Sequence, residues 1–146
     1  MNFTISVDID QPIEKVVELW QDEKNLSKWQ DGYLGSEMIF GHPGEVGTRT
    51  KMKYLMGKRK IDLVEIILEN KLPKEFLAKY ESKTTVNTMH NVFESLSENK
   101  TRWTATIHYS SFTGFLVKAM AFLLPGMFKK QSQKWLDQFK VFVENS

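Results

Sequence analysis

Apolar and polar positions alternate at the start of the chain and then change period. From residue 3 to residue 9 every second side chain is apolar, which is typical of a β-strand with one buried face. Residues 12–21 place apolar side chains at helical spacing after Pro12, and residues 22–30 repeat that spacing over a shorter stretch. The chain is therefore predicted to begin with one strand and two short helices.

Six further strands are predicted between residues 33 and 109. The short apolar runs in this region are separated by turn residues, including Gly41, Gly44, Gly57 and the tetrapeptide 97–100. Connections this short favour antiparallel neighbours. The predicted strands cover residues 33–40, 48–56, 58–69, 75–81, 85–96 and 101–109.

The C-terminal part of the chain has a helical pattern over residues 115–144. In its second half, apolar side chains from Phe128 to Val143 fall on one stripe, which we expect to pack on the sheet. A proline inside a helix removes a backbone donor and clashes with the preceding turn, so a break is expected at Pro125 and Gly126. Because no linker or repeat divides the sequence, we predict a single α+β domain over residues 1–146.

Composition and charge exclude several classes of function. The 146 residues contain no cysteine, which excludes thiol catalysis, iron–sulfur ligation and cysteine-based zinc sites. With 20 Lys+Arg and 18 Asp+Glu, the net charge of +2 does not indicate a nucleic-acid partner. The N-terminus carries acids and no signal segment, so we expect a cytoplasmic protein.

Six short stretches of the sequence carry a resemblance to known proteins. They are DQPIEKVVELW at 10–20, LSKW at 26–29, VGT at 46–48, LP at 72–73, NKTRW at 99–103 and WLDQFK at 135–140. Together with the order of elements, they resemble the START-like, Bet v 1-like (SRPBCC) superfamily and, within it, the bacterial polyketide cyclase/dehydrase and lipid-transport group. The resemblance implies a helix-grip fold, in which a curved seven-stranded antiparallel sheet wraps around a long C-terminal helix and two short helices lie between strands 1 and 2.

Such a fold implies a cavity between the sheet and the C-terminal helix that takes up apolar molecules. The apolar phase of each predicted strand supplies a soft, aromatic-rich lining, since methionine is flexible and Tyr and Trp carry polar tips. The alternative is that these side chains only fill the core. The candidate ligand contacts are Met38, Phe40, Met52, Tyr54, Met56, Phe76, Tyr80, Met89, Asn91, Phe93, Trp103, Ile107, Tyr109, Met120, Leu124, Phe128 and Trp135.

One carboxylic acid shares the apolar phase of its predicted strand. Glu65 alternates with isoleucine and leucine, but the opposite phase, which contains Asp62, is nearly as apolar, so periodicity leaves open which of the two faces inward. A carboxyl group in an apolar cavity has a raised pKa that suits proton transfer, which makes Glu65 a catalytic candidate. His90 and His108 lack companions at metal-ligand spacing, so neither a metal nor another cofactor is expected.

The segment from Phe115 to Phe128 is apolar almost all round. It is too short and too interrupted to span a bilayer. Three uses account for such a segment: a fully covered core helix, a gate over the cavity, or a surface that docks on a membrane or on a second subunit in a homodimer.

The sequence favours reversible binding, or transport, of a small hydrophobic ligand such as a lipid or a polyketide-like molecule. The absence of a catalytic constellation favours binding over catalysis. Two alternatives stay open: a cyclase or dehydratase that uses Glu65 or a histidine as its acid or base, and a protein-interaction module without a ligand. The side chains expected to orient a bound molecule are Tyr54, Tyr80, Asn91, Trp103 and Tyr109.

Overall fold

Seven strands and four α-helices make up the computed structural model, which describes residues 1–146. The strands are β1 (Asn2–Ile9), β2 (Tyr33–Phe40), β3 (Arg49–Met56), β4 (Arg59–Lys71), β5 (Glu75–Ser82), β6 (Thr85–Ser97) and β7 (Lys100–Phe112). The helices are α1 (Ile13–Gln21), α2 (Leu26–Trp29), α3 (Phe115–Leu123) and α4 (Gly126–Glu144), with a 3-10 turn (Glu23–Asn25) between α1 and α2.

All seven strands form one antiparallel sheet in the order β1-β7-β6-β5-β4-β3-β2. The first two strands of the chain therefore lie at opposite edges, and α1 and α2 connect these edges. Irregularities in register interrupt β2, β4 and β6, and such bulges bend a strand and increase its twist. The predicted α+β helix-grip architecture is confirmed.

The element boundaries agree with the sequence pattern except at a few ends. The expected break in the C-terminal helix is present, because α3 ends at Leu123 and α4 begins at Gly126. Strand β7 continues to Phe112, three residues beyond the prediction. The second predicted helix is divided into the 3-10 turn and α2, so little regular α-helix remains there.

One end of the inner sheet face is filled by an aromatic cluster, which we define as Trp20, Trp29, Phe93, Trp103 and Phe139. Each member comes from a different element: α1, α2, β6, β7 and α4. The ring of Trp103 lies between 5.2 and 6.0 Å from the rings of the other four. Aromatic pairs at such distances add about 0.5–1.5 kcal/mol each beyond the burial of their surface. The cluster thus joins both short helices and α4 to the sheet.

Truncation of Phe139 is predicted to destabilise the fold strongly. The side chain is fully buried, and Phe139→Ala leaves a cavity in the aromatic cluster that should cost about 3–5 kcal/mol of unfolding free energy. Val141, two residues along the same helix, is 60% exposed, so Val141→Ala should change stability by less than about 0.5 kcal/mol. Urea unfolding of both variants measures the difference, and equal losses would contradict this description of the core.

Candidate functional site

Helix α4 covers the sheet unevenly. It packs along β1 and against α1 and α2, whereas neither α3 nor α4 makes extensive contact with β4 or β5. Two aromatic contacts bridge the gap: Trp135 of α4 stacks on Tyr54 of β3 at 5.5 Å, and Phe128 of α4 meets Tyr109 of β7 at 5.2 Å. Between these contacts, inner-face residues such as Glu65, Tyr80 and Met89 remain partly exposed, and we call the incompletely covered region in front of them the inner cavity.

A row of polar side chains crosses the sheet at this cavity. Directly opposed residues of antiparallel strands share a face, and the register pairs Thr50 with Glu65, Glu65 with Tyr80, Tyr80 with Asn87, and Asn87 with Tyr109. We call these five residues the polar row. Within it, the Tyr80 hydroxyl donates a hydrogen bond to Glu65 Oε2 at 2.8 Å.

The environment of Glu65 favours its protonated form. Burial raises the pKa of this carboxyl, the hydrogen bond from Tyr80 partly offsets the effect, and the negative charge of Glu23 raises the pKa further. No lysine, arginine or histidine forms an ion pair with it. Although protein surrounds Glu65, part of its side chain remains accessible to solvent, and an open cavity explains both observations.

The tyrosines around Glu65 are held neutral. Burial raises the pKa of Tyr80 well above its usual value and raises the pKa of Tyr109 to about 12. Burial also raises the pKa of Tyr54, whose hydroxyl donates to Gln30 Oε1 at 2.8 Å. At neutral pH these hydroxyls act as hydrogen-bonding groups rather than as charges.

Several polar atoms of the row have no partner within the protein. Glu65 Oε1, the Asn87 amide and the Tyr109 hydroxyl make no hydrogen bond to another residue. Trp29 Nε1 is the one fully buried side-chain polar atom without a partner, so the unpaired atoms of the row retain access to the cavity. A buried polar group without a partner is costly, and a bound molecule with a hydroxyl or carbonyl group can satisfy these atoms.

The structure distributes the candidate ligand contacts over three environments. Those on the inner face of the sheet or on the helices that lie over it, outside the aromatic cluster, are Met52, Tyr54, Tyr80, Met89, Tyr109, Met120, Phe128 and Trp135. Met52 and Tyr54 are buried, and the other six are partly exposed. Those that lie in the packed core are Phe76, Asn91, Phe93, Trp103 and Ile107. Those at the edge strand, at the hairpin end or in the break between α3 and α4 are Met38, Phe40, Met56 and Leu124.

Asn91 and Trp103, two of the predicted ligand contacts, lie in the packed core. Both face inward as their phase indicated, but both are fully buried, and Trp103 Nε1 donates to Asn91 Oδ1 at 3.0 Å. The Asn91 amide in turn donates to the backbone oxygen of Phe76 at 3.3 Å. These groups satisfy one another inside the core, so neither side chain has a polar atom left without a partner; Phe76 and Phe93 are buried as well.

The register resolves which phase of β4 faces inward. Glu65 lies on the inner face opposite Tyr80, whereas Asp62 lies on the outer face, where its carboxylate is 3.6 Å from Lys51 Nζ. The two histidines also lie on the outer face, and each contacts another residue: His90 Nε2 contacts Glu75 at 3.0 Å, and His108 contacts Asn2. Glu65 is therefore the one acid or base of the predicted site that borders the inner cavity.

Sequence reasoning missed the residues that hold α4 above the cavity. Asp31, in the loop after α2, accepts hydrogen bonds from Trp135 Nε1 and Lys134 Nζ, each at 2.7 Å. Gln30 beside it anchors Tyr54. Thr50 of the polar row was missed as well. The pattern of a short polar loop contains no signal for these long-range contacts.

The segment between Phe115 and Phe128 is not a covered core helix. In α3, Val117 alone is buried, while Phe115 is 90% and Phe122 is 84% exposed. Of the three uses considered for this segment, the structure thus excludes full burial in the core. None of the helices combines the length and the apolar character needed to cross a membrane.

No family model matches the chain, and no curated protein matches it in sequence. Solved structures, however, share its architecture. The Zhui aromatase/cyclase from Streptomyces sp. R1128 superposes with a TM-score of 0.83 at 9% identity, over 99% of this chain and 93% of that chain. A conserved protein from Geobacillus kaustophilus gives 0.80 at 19% identity, over 100% and 97% of the two chains.

A third structure, that of Ara h 8.0201, superposes with a TM-score of 0.74 at 13% identity, over 100% of this chain and 99% of that chain. The chain has the Bet v 1-like helix-grip fold. At these identities the likeness concerns the helix-grip fold alone, so function has to be inferred from the cavity.

Glu65 is predicted to make stability depend on pH. Because its folded pKa is raised above the ordinary value of 4.5, the unfolded chain releases the proton first as the pH rises. Relative to Glu65→Gln, the wild-type protein should lose about 1.4 kcal/mol of unfolding free energy for each pH unit between the ordinary pKa of 4.5 and the raised pKa of the folded state.

Urea unfolding of wild type and Glu65→Gln between pH 4 and pH 8 measures this loss. At pH 4 the carboxyl is largely protonated in both states, so this end of the series is the internal control. A difference between the two proteins that does not change with pH would contradict the placement of Glu65 in an apolar environment.

Proposed function

We propose that the protein reversibly binds a small, largely apolar molecule in the inner cavity, with one polar group of the molecule at the polar row. The observation that carries the proposal is the set of unpaired polar atoms on Glu65, Asn87 and Tyr109 within an otherwise apolar and aromatic lining. Few and well-placed polar groups in an apolar pocket are the usual composition of a small-molecule site.

The driving force for binding is the burial of apolar surface. The rings of Tyr54 and Trp135 and the side chains of Met52 and Met89 border the cavity. Each Å² of apolar surface that leaves water contributes roughly 25 cal/mol, from which the cost of immobilising the ligand is subtracted. The polar row then selects among apolar molecules by the hydrogen bonds that they offer.

The chemistry of the row favours a neutral ligand. Glu65 is the ionisable acid at the cavity, and no cation accompanies it. A ligand carboxylate would lie next to Glu65 without a counter-ion, whereas a hydroxyl or carbonyl group can share its proton. Lipid-like or polyketide-like molecules with such groups fit this description, and the shared fold of the aromatase/cyclase supports the second class.

The Glu65–Tyr80 pair also supports a second candidate function, a cyclase or dehydratase. A carboxyl group with a raised pKa is a stronger base once it is ionised: the carboxylate can remove a proton next to a carbonyl and then return it to a departing hydroxyl, so that water leaves, a double bond forms and the carboxylate is regenerated. Tyr80, hydrogen-bonded to the same carboxyl, would hold it in place. In that case Glu65→Gln keeps ligand binding and loses turnover.

Native mass spectrometry of the purified protein, followed by denaturing extraction, tests the binding proposal directly. We expect an apolar molecule in stoichiometric amount, or uptake of a neutral probe such as N-phenyl-1-naphthylamine by ligand-free protein. A ligand-free protein that also takes up no apolar probe would overturn the proposal and favour an interaction module.

A bulky side chain on the inner face is predicted to block the cavity. Asn87→Trp should raise the Kd for N-phenyl-1-naphthylamine at least about tenfold, because the indole occupies space at the polar row. Thr88→Trp is the matched control: the next residue of β6 pairs with Lys79 and His108 on the outer face, so it should bind the probe like wild type. Equal affinities of the two variants for the probe would contradict the proposal that the ligand binds at the polar row.

The neutral character of the site gives a separate prediction. A fluorescent fatty alcohol should bind at least about tenfold more tightly at pH 7 than a fatty acid with the same chain and fluorophore, because only the acid brings an unpaired negative charge to Glu65. Titration by fluorescence measures both affinities. Tighter binding of the fatty acid would show that the polar row does not receive the head group.

A further inference from the structure

The outward face of α3 is an apolar surface that no other part of the chain covers. At 100° per residue, Phe115, Leu116, Phe122 and Leu123 lie on one arc of the helix, and all four are exposed. Leu124 and Met127, in the break and the first turn of α4, extend this surface. We call these six residues the α3 surface. A contiguous exposed apolar patch of this kind marks a docking site.

The charged residues of the segment that carries the α3 surface are all of one sign. Between Glu98 and Asp137 the chain contains no acidic residue. Lys118 lies at the edge of the apolar arc, and Lys129 and Lys130 follow in the first turn of α4. All three are exposed and form no ion pair. The surface therefore combines large apolar side chains with unneutralised positive charge.

The ends of α3 separate it from the rest of the fold. Gly114, with φ of +96°, precedes the helix, and Pro125 follows it, so α3 is continuous with neither β7 nor α4. Val117 provides its buried contact. Beside α3, the rings of Tyr109, Phe112 and Phe128 pack together at the rim of the inner cavity.

We propose that the α3 surface docks on a membrane that contains anionic lipids. Phe115, Phe122 and their apolar neighbours lie in the interfacial layer, while Lys118, Lys129 and Lys130 contact the negatively charged headgroups. Large apolar side chains flanked by lysines are the composition of helices that lie in a membrane interface. This docking goes beyond ligand binding, because none of the polar row takes part in it.

Charge favours a membrane over a second copy of the chain as the occupant. A symmetric dimer through the α3 surface would bring Lys118, Lys129 and Lys130 of both copies together, and the segment offers no carboxylate to neutralise them. An anionic membrane instead attracts each lysine, which strengthens binding by about fivefold per residue.

Co-sedimentation with vesicles tests the proposal. We expect the wild-type protein to bind vesicles of phosphatidylcholine and phosphatidylglycerol, to bind pure phosphatidylcholine vesicles at least about tenfold more weakly, and to be released from the anionic vesicles by salt. The double variant Phe115→Ser, Phe122→Ser should bind anionic vesicles at least about tenfold more weakly than wild type.

Two control variants separate this surface from general effects of charge and apolar exposure. Lys53, Lys58 and Lys60 are exposed lysines without ion pairs near the β3–β4 hairpin, so their triple change to Gln should retain binding. The triple change of Lys118, Lys129 and Lys130 to Gln should weaken it at least about tenfold. Val141→Ser removes an exposed apolar side chain elsewhere on α4 and should bind like wild type.

Circular dichroism checks that each variant keeps the fold, which we expect because all the changed side chains are exposed. Failure of wild type to bind anionic vesicles would overturn the proposal. So would equal losses from the two lysine variants. A dimer of wild type in sedimentation velocity that Phe115→Ser, Phe122→Ser dissociates, without vesicle binding, would assign the surface to a second copy instead. Probe uptake is measured separately and tests only the inner cavity.

Discussion

The contacts of Trp103 hold this fold together. Its ring contacts one aromatic side chain from each of α1, α2, β6 and α4. A single residue of β7 therefore links the two N-terminal helices and the C-terminal helix to the sheet. Its indole nitrogen is satisfied by Asn91 within the same core. The C-terminal half of α4 is fixed here, whereas Phe128 and Trp135 contact the sheet through Tyr109 and Tyr54.

That arrangement explains why polar groups persist on the inner face. Unpaired polar atoms reduce stability, and a protein keeps them where they serve a site. The aromatic cluster stabilises the fold, and the polar row crosses strands β6 and β7 only a few residues from it. Glu65 and Tyr80 form the one hydrogen-bonded pair of the row.

Much of the fold was predictable from local pattern, whereas the site was predictable only in part. The alternation of apolar and polar residues predicted the buried face of β1, and Pro125 predicted the break between α3 and α4. Periodicity alone did not distinguish Glu65 from Asp62, since both phases of β4 are apolar and the register with Tyr80 decides between them. Periodicity predicted that Asn91 faces inward, but it did not predict that Asn91 is buried in the core. The path of α4 determines which inward-facing positions are covered.

The division of the inner face into a packed end and an open end also bears on how such proteins diverge. If the protein binds a ligand as proposed, substitutions at the open end change which molecules fit, while those at the packed end change whether the chain folds at all. Selection can therefore act on the two ends separately, and a lineage can exchange one ligand for another without losing its architecture. The superposition of a helix-grip structure on this chain at only 9% identity shows how far sequences can diverge while the architecture is kept.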